Sequence, residues 1–98
     1  MSEVKKIAGK IVNYNSSFNG TMFFDNEIQK IETNTDIQSG NIIIPGFIDL
    51  HCHGGNGFDV MEGSDSIEKM SKYHLSHGTT SIMPTTWTNT FEDTYKAL

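Results

Sequence analysis

The sequence predicts an α/β chain in two parts: strands of a small antiparallel β domain over residues 1–44, then a strand, helix, strand, helix succession over residues 45–98. Three observations carry this expectation. Short alternating runs broken by Asn, Asp and Gly fill the first part. Pro45-Gly46 then interrupts the chain, because proline lacks a ladder donor and restricts the residue before it. Beyond that break, apolar residues recur at helical spacing between two strand-like runs, one starting at Phe47 and the other at Thr79.

Ile7, Gly9 and Ile11 alternate with Ala8, Lys10 and Val12, which predicts a strand over about 5–14. The polar cluster 15–20 ends it, and Asn19-Gly20 is a strong turn signal. Thr21 to Phe24 is rich in strand formers, and a second turn at Asp25-Asn26 leads to a weaker strand over 27–32. Residues 33–40 are polar and loop-like, and Asn41 to Ile44 resumes a strand before Pro45.

The stretch Phe47-Ile48-Asp49-Leu50-His51-Cys52-His53 reads as a short buried strand. Successive strand side chains point to opposite faces, so Phe47, Asp49, His51 and His53 share one side and Ile48, Leu50 and Cys52 the other. Two imidazoles thus converge, and neutral imidazole is a good ligand for a divalent metal. Two ligands do not complete a tetrahedral shell, so on spacing alone the pair is equally consistent with histidines closing an ordinary strand. The loop Gly54-Gly55-Asn56-Gly57 fits neither a Walker loop nor a dinucleotide fingerprint, and reads as a tight passage out of the strand.

Ser64 to Glu68 reads as a helix start, with Asp65 as cap and Glu68 closing a capping box. Ile67, Met70, His74 and His77 follow helical spacing. His74 and His77 are i, i+3 neighbours, yet His77 precedes Gly78, where an imidazole suits the negative end of a helix. Thr79 to Thr86 is a second strand, with Pro84 among its last residues, and the connection predicts a right-handed crossover. Trp87 follows it, able either to touch a ligand or to serve as buried scaffold. Thr90 caps a last helix from Phe91.

Pro45-Gly46-Phe47-Ile48-Asp49-Leu50-His51-Cys52-His53-Gly54 resembles the opening strand of the amidohydrolase superfamily, metal-dependent hydrolases built on a (β/α)8 TIM barrel. Residues 54–61 and 77–86 further resemble the N-acetylglucosamine-6-phosphate deacetylase family within it. The resemblance implies that residues 45–98 are the first βαβα part of such a barrel. A barrel needs roughly 250 residues, so the 98 residues read as an N-terminal fragment, itself inactive.

The resemblance also implies site residues. His51 and His53 become metal ligands, Asp49 supports them from behind, and Gly54 and Gly55 line the pocket mouth. The catalytic base and the remaining ligands come from later strands in the family, so no catalytic residue is assigned within this chain. The implied cofactor is a divalent metal ion, with zinc, iron, manganese and nickel not distinguished. The implied substrate is an amino-sugar phosphate, cleaved to glucosamine 6-phosphate and acetate by a parent enzyme expected to be a homodimer. Dihydroorotase-like and adenine-deaminase-like enzymes share the opening motif and stay open as alternatives, as does a fragment that catalyses nothing.

Composition restricts partners and place. The net charge of −5 is spread without blocks and leaves no basic stripe for nucleic acid. No apolar run is long enough to span a membrane, and residues 1–6 lack the apolar core of a signal peptide. The single cysteine, Cys52, fits a reducing compartment, so the expected location is cytoplasmic.

Overall fold

The computed structural model describes residues 3–98; Met1 and Ser2, at the head of the stretch without a signal-peptide core, lie outside the described residues. The chain divides into two compact units at the Pro45–Gly46 bond. No described helix is long and apolar enough to cross a membrane.

The first unit is a four-stranded sheet of β1 (Lys5–Val12), β2 (Ser17–Phe24), β3 (Ile28–Thr33) and β4 (Ile42–Ile43), in the order β3-β2-β1-β4. The first three strands pair antiparallel, whereas β4 runs parallel to β1, so the sheet is mixed rather than wholly antiparallel. Asn41 seeds the parallel edge: its carbonyl accepts from Lys10 N–H at 2.9 Å and its side-chain amide donates to Ala8 O at 3.2 Å.

The first turn falls earlier than Asn19-Gly20. It closes at Asn13–Ser16, where Asn13 N–H donates to Ser16 O at 2.8 Å, and Asn19-Gly20 lies within β2. Packing overrides the local turn preference there. A side chain at position 20 would meet the Glu32 carbonyl at 2.6 Å, so Gly20 is what lets β3 lie close. The Asp25 turn forms as expected, with Asp25 Oδ1 accepting from Glu27 N–H at 3.0 Å.

The second unit holds β5 (Phe47–Cys52), the short hairpin β6 (Gly54–Gly55) and β7 (Phe58–Asp59), a 3-10 turn at Val60–Glu62, α1 (Ser64–Ser76), β8 (Thr79–Pro84) and α2 (Phe91–Ala97). β5 and β8 are parallel neighbours joined through α1. Thr80 occupies the space a side chain at Gly46 would need, so the residue entering this unit is glycine for steric reasons. Asn56 (φ 52°) and Gly57 (φ 81°) are consecutive left-handed residues that turn β6 into β7, the Asn-Gly chemistry of a two-residue hairpin.

A capping box is present, but at Asp59 and Glu62 ahead of the 3-10 turn: Asp59 Oδ1 accepts from Met61 N–H and Glu62 Oε1 from Asp59 N–H, each at 2.8 Å. α1 begins two residues earlier than an Asp65 cap would set it, straight after Gly63. This leaves Asp65 inside the first turn, where its charge suits the helix dipole, and Glu68 paired with Lys72 at 2.8 Å. Gly78, at φ 96°, follows the helix as anticipated, and Thr90 Oγ1 caps α2 by accepting from Asp93 N–H at 3.1 Å.

The core of this unit is Cys52, Val60 and Met70, with Phe58, Ile67 and Ile82 packed against it. Met70 is fully buried, worth about 1.5–3 kcal/mol of apolar burial. β5 departs from expectation in being largely exposed: Ile48 is 68% and Leu50 70% accessible. Parallel strands are usually covered on both faces. Among the described residues β5 has one neighbouring strand, and the core closes only over Cys52 at its end.

Candidate metal-binding site

The end of β5 delivers the two histidines to one point. His51 Nε2 and His53 Nε2 lie 2.9 Å apart, with ring centroids 4.7 Å apart in an edge-on arrangement. His51 is exposed and His53 half-buried. Asp49, half-buried on the same strand, accepts from the His51 backbone N–H at 3.1 Å, so its carboxylate braces the main chain beneath the pair.

β8 fixes the second ring. Thr85 N–H donates to Cys52 O at 2.7 Å, which ties the chain just beyond β8 to the end of β5. The Thr85 carbonyl then faces His53 Nδ1 at 2.8 Å. A carbonyl can only accept, so Nδ1 carries the proton and the neutral ring presents a bare lone pair at Nε2. Trp87 lies over His53, rings 3.8 Å apart and 19° from parallel, while remaining 50% exposed. The buried scaffold role considered for Trp87 is therefore set aside: its place is on a histidine, half in solvent.

These contacts allow a test of fit for a divalent ion. Nitrogens each about 2.0–2.1 Å from a shared ion stand about 2.9 Å apart at a right angle and about 3.4 Å apart at a tetrahedral one. The observed 2.9 Å lies at the near end of that range. Because His53 Nε2 carries no proton, His51 Nε2–H donates to its lone pair. To ligate, His51 moves that proton to Nδ1. The donor chemistry therefore fits a metal, and the pair supplies two ligands. No group of three or more His, Cys, Asp or Glu side chains able to hold an ion occurs among the described residues.

The other candidates go elsewhere. Cys52 is buried at 5% exposure, with Sγ 3.5 Å from His74 Nε2 and 3.6 Å from Gly54 O. His74 Nε2–H donates to Gly54 O at 2.9 Å, fastening α1 to β6. His77 Nδ1 contacts the Tyr73 carbonyl at 3.0 Å, so His74 and His77 serve separate backbone carbonyls and do not form a second pair. Gly54 and Gly55 make the hairpin beneath His74. Sequence reasoning allowed Trp87 to touch a ligand but missed the two contacts that the segment after Pro84 makes to His53. A backbone carbonyl leaves no mark in side-chain patterns, and the lone Trp87 near a strand end was the only available signal for the stack.

No protein-family model matches the chain. Among curated proteins it is 40% identical over 55 residues to N-acetylglucosamine-6-phosphate deacetylase of Lysinibacillus sphaericus, covering 55% of this chain and 14% of that protein. It is 35% identical over 88 residues to the enzyme of the same name from Caenorhabditis elegans, covering 80% and 20%. It is also 32% identical over 72 residues to N-acetylgalactosamine-6-phosphate deacetylase of Escherichia coli O157:H7, covering 72% and 19%. The chain thus spans a fifth or less of the length of these relatives. A solved mutant N-acetyl-D-glucosamine-6-phosphate deacetylase from Mycobacterium smegmatis, in complex with N-acetyl-D-glucosamine-6-phosphate, matches the backbone with a TM-score of 0.78 at 18% identity. That match covers 96% of this chain and 27% of the other, and at this identity it speaks for the fold. Sequence and backbone alike match part of N-acetylglucosamine-6-phosphate deacetylases.

Proposed function

We propose that this chain is part of an N-acetylglucosamine-6-phosphate deacetylase, a hydrolase that releases acetate and glucosamine 6-phosphate, and that it contributes His51 and His53 to that enzyme's metal site. The observation that carries the reading is the 2.9 Å approach of two Nε2 atoms at a strand end, within a chain similar to such enzymes. In the same reading residues 1–44 belong to a small β domain and residues 45–98 open a (β/α)8 barrel. The exposed faces of Ile48 and Leu50 suit strands awaiting neighbours. Its further parts are a cytoplasmic, homodimeric parent enzyme and a pocket mouth bordered by Gly54 and Gly55.

A divalent ion held here would supply Lewis acidity toward the amide carbonyl and lower the pKa of a coordinated water. This chain's residues have the task of holding it. His53 offers Nε2 because Thr85 O keeps the proton on Nδ1, and His51 joins it once its own proton moves to Nδ1. Asp49 is engaged by the His51 main chain and has no reach to a reacting group assigned to it, so no general base is drawn from these residues.

The test is to assay the protein containing this chain for acetate release from N-acetylglucosamine 6-phosphate and N-acetylgalactosamine 6-phosphate, with dihydroorotate and adenine as competing substrates. Turnover of the glucosamine derivative is expected, and residues 1–98 alone should show none. Turnover of dihydroorotate or adenine in its place would overturn the reading.

A further inference from the structure

We infer that Trp87 is a positioning residue for the metal pair, acting through His53 to keep its Nε2 lone pair directed at His51; this rests on the metal reading proposed above. A histidine ring at a strand end turns about two side-chain bonds, and the free neutral imidazole exchanges its proton between both nitrogens. Here two contacts arriving from one short segment beyond β8 restrain it. The Thr85 carbonyl holds the Nδ1 edge at 2.8 Å, and the indole of Trp87 covers one face at 3.8 Å, 19° from parallel. A half-turn of the ring about its Cβ–Cγ bond would break the first contact, and any smaller turn would tilt the ring out of the second. The segment is itself anchored, since Thr85 N–H donates to Cys52 O at 2.7 Å, between the two histidines in sequence. The carbonyl selects the tautomer and the indole holds the orientation in which that tautomer meets His51. Trp87 is 50% exposed, and the ring it stacks on is His53.

Trp87 is the only tryptophan, which makes the stack observable in the unaltered chain. Nickel, a paramagnetic divalent ion, is titrated into the 98-residue chain while Trp87 fluorescence and the imidazole ¹⁵N resonances are recorded. Quenching is expected to saturate with the same midpoint as the perturbation of the His51 and His53 rings, and a fluorescence signal unmoved while those rings respond would overturn the inference. Before metal is added, His53 should be a single Nδ1–H tautomer. Trp87→Leu should give averaged tautomers and weaken nickel binding about tenfold, the lower end of the usual cost of losing an outer partner of a ligand. Trp87→Phe, which keeps a stacking ring, should restore both. A Trp87→Leu chain with an unchanged amide fingerprint, one His53 tautomer and wild-type nickel affinity would refute the positioning role. His51→Ala with His53→Ala separates the two levels: nickel affinity unchanged in that variant sinks the metal reading itself, whereas nickel lost there but unaffected by Trp87→Leu sinks only the role of Trp87.

Discussion

Gly55→Ala examines how α1 is fastened beside the site. A methyl at Gly55 would stand 2.5 Å from His74 Nε2 and 2.8 Å from His74 Cε1, both inside contact distance. The ring must retreat, and in doing so it gives up the 2.9 Å hydrogen bond to Gly54 O. Overpacking of this kind costs about 1–3 kcal/mol and a lost hydrogen bond about 1 kcal/mol. The two overlap, because moving the ring relieves the clash at the expense of the bond. We therefore expect about 2 kcal/mol, which is about a 30-fold fall in the folded-to-unfolded ratio. Urea unfolding followed by Trp87 fluorescence reads this unit directly, since the only tryptophan lies in it. His74→Ala removes both the bond and the obstacle, so Gly55→Ala added to His74→Ala should cost almost nothing more. Additive losses in the double variant, a coupling near zero where about 1–2 kcal/mol is expected, would refute the argument that Gly55 exists to admit His74.

Other perturbations check separate links. Met70→Ala deletes the one fully buried large side chain among the described residues and should cost about 2–5 kcal/mol in the same unfolding assay; a loss under about 1 kcal/mol would mean the Cys52, Val60 and Met70 cluster is not the core of this unit. Cys52→Ala should cost about 1 kcal/mol through lost packing and leave nickel affinity unchanged, because the thiol lies against His74 and Gly54; loss of metal binding in a folded variant would contradict this. The Glu27 backbone N–H, followed by the Gln29 side chain, holds the Asp25 carboxyl below its ordinary 3.8. Its contribution to stability is then complete above that value and is lost as the pH falls through the lower, folded-state midpoint. An NMR titration of the Asp25 carboxyl with a midpoint at or above 3.8 would contradict it.

How far the fold was legible in the sequence depended on whether local chemistry acted alone. The Asp25 turn, the Thr90 cap, Gly78 after α1 and Pro84 closing β8 are set by neighbours in sequence, and they formed where composition put them. Asn19-Gly20 carried an equally strong local signal and failed, because the Glu32 carbonyl of another strand requires the glycine at a flat position. The capping box moved from Asp65 to Asp59 for a related reason: the hairpin at Asn56-Gly57 returns the chain early, and the 3-10 turn that follows takes the first cap. At the candidate site, strand alternation was enough to bring His51 and His53 together and to send Cys52 the other way. Fixing the His53 tautomer was beyond it, because that depends on a Thr85 carbonyl 32 residues away. Likewise, the exposure of Ile48 and Leu50 cannot be read from their apolar character, which suits a buried strand.

The central claim is that His51 and His53 share one divalent ion, and anomalous diffraction tests it most directly. Crystals of the protein containing this chain, soaked in zinc, should show an anomalous peak about 2.0–2.1 Å from Nε2 of both rings, with His53 Nδ1 still on the Thr85 carbonyl. Two rings remaining hydrogen-bonded to each other at saturating zinc, with no peak between them or with the ion bound elsewhere, would contradict it.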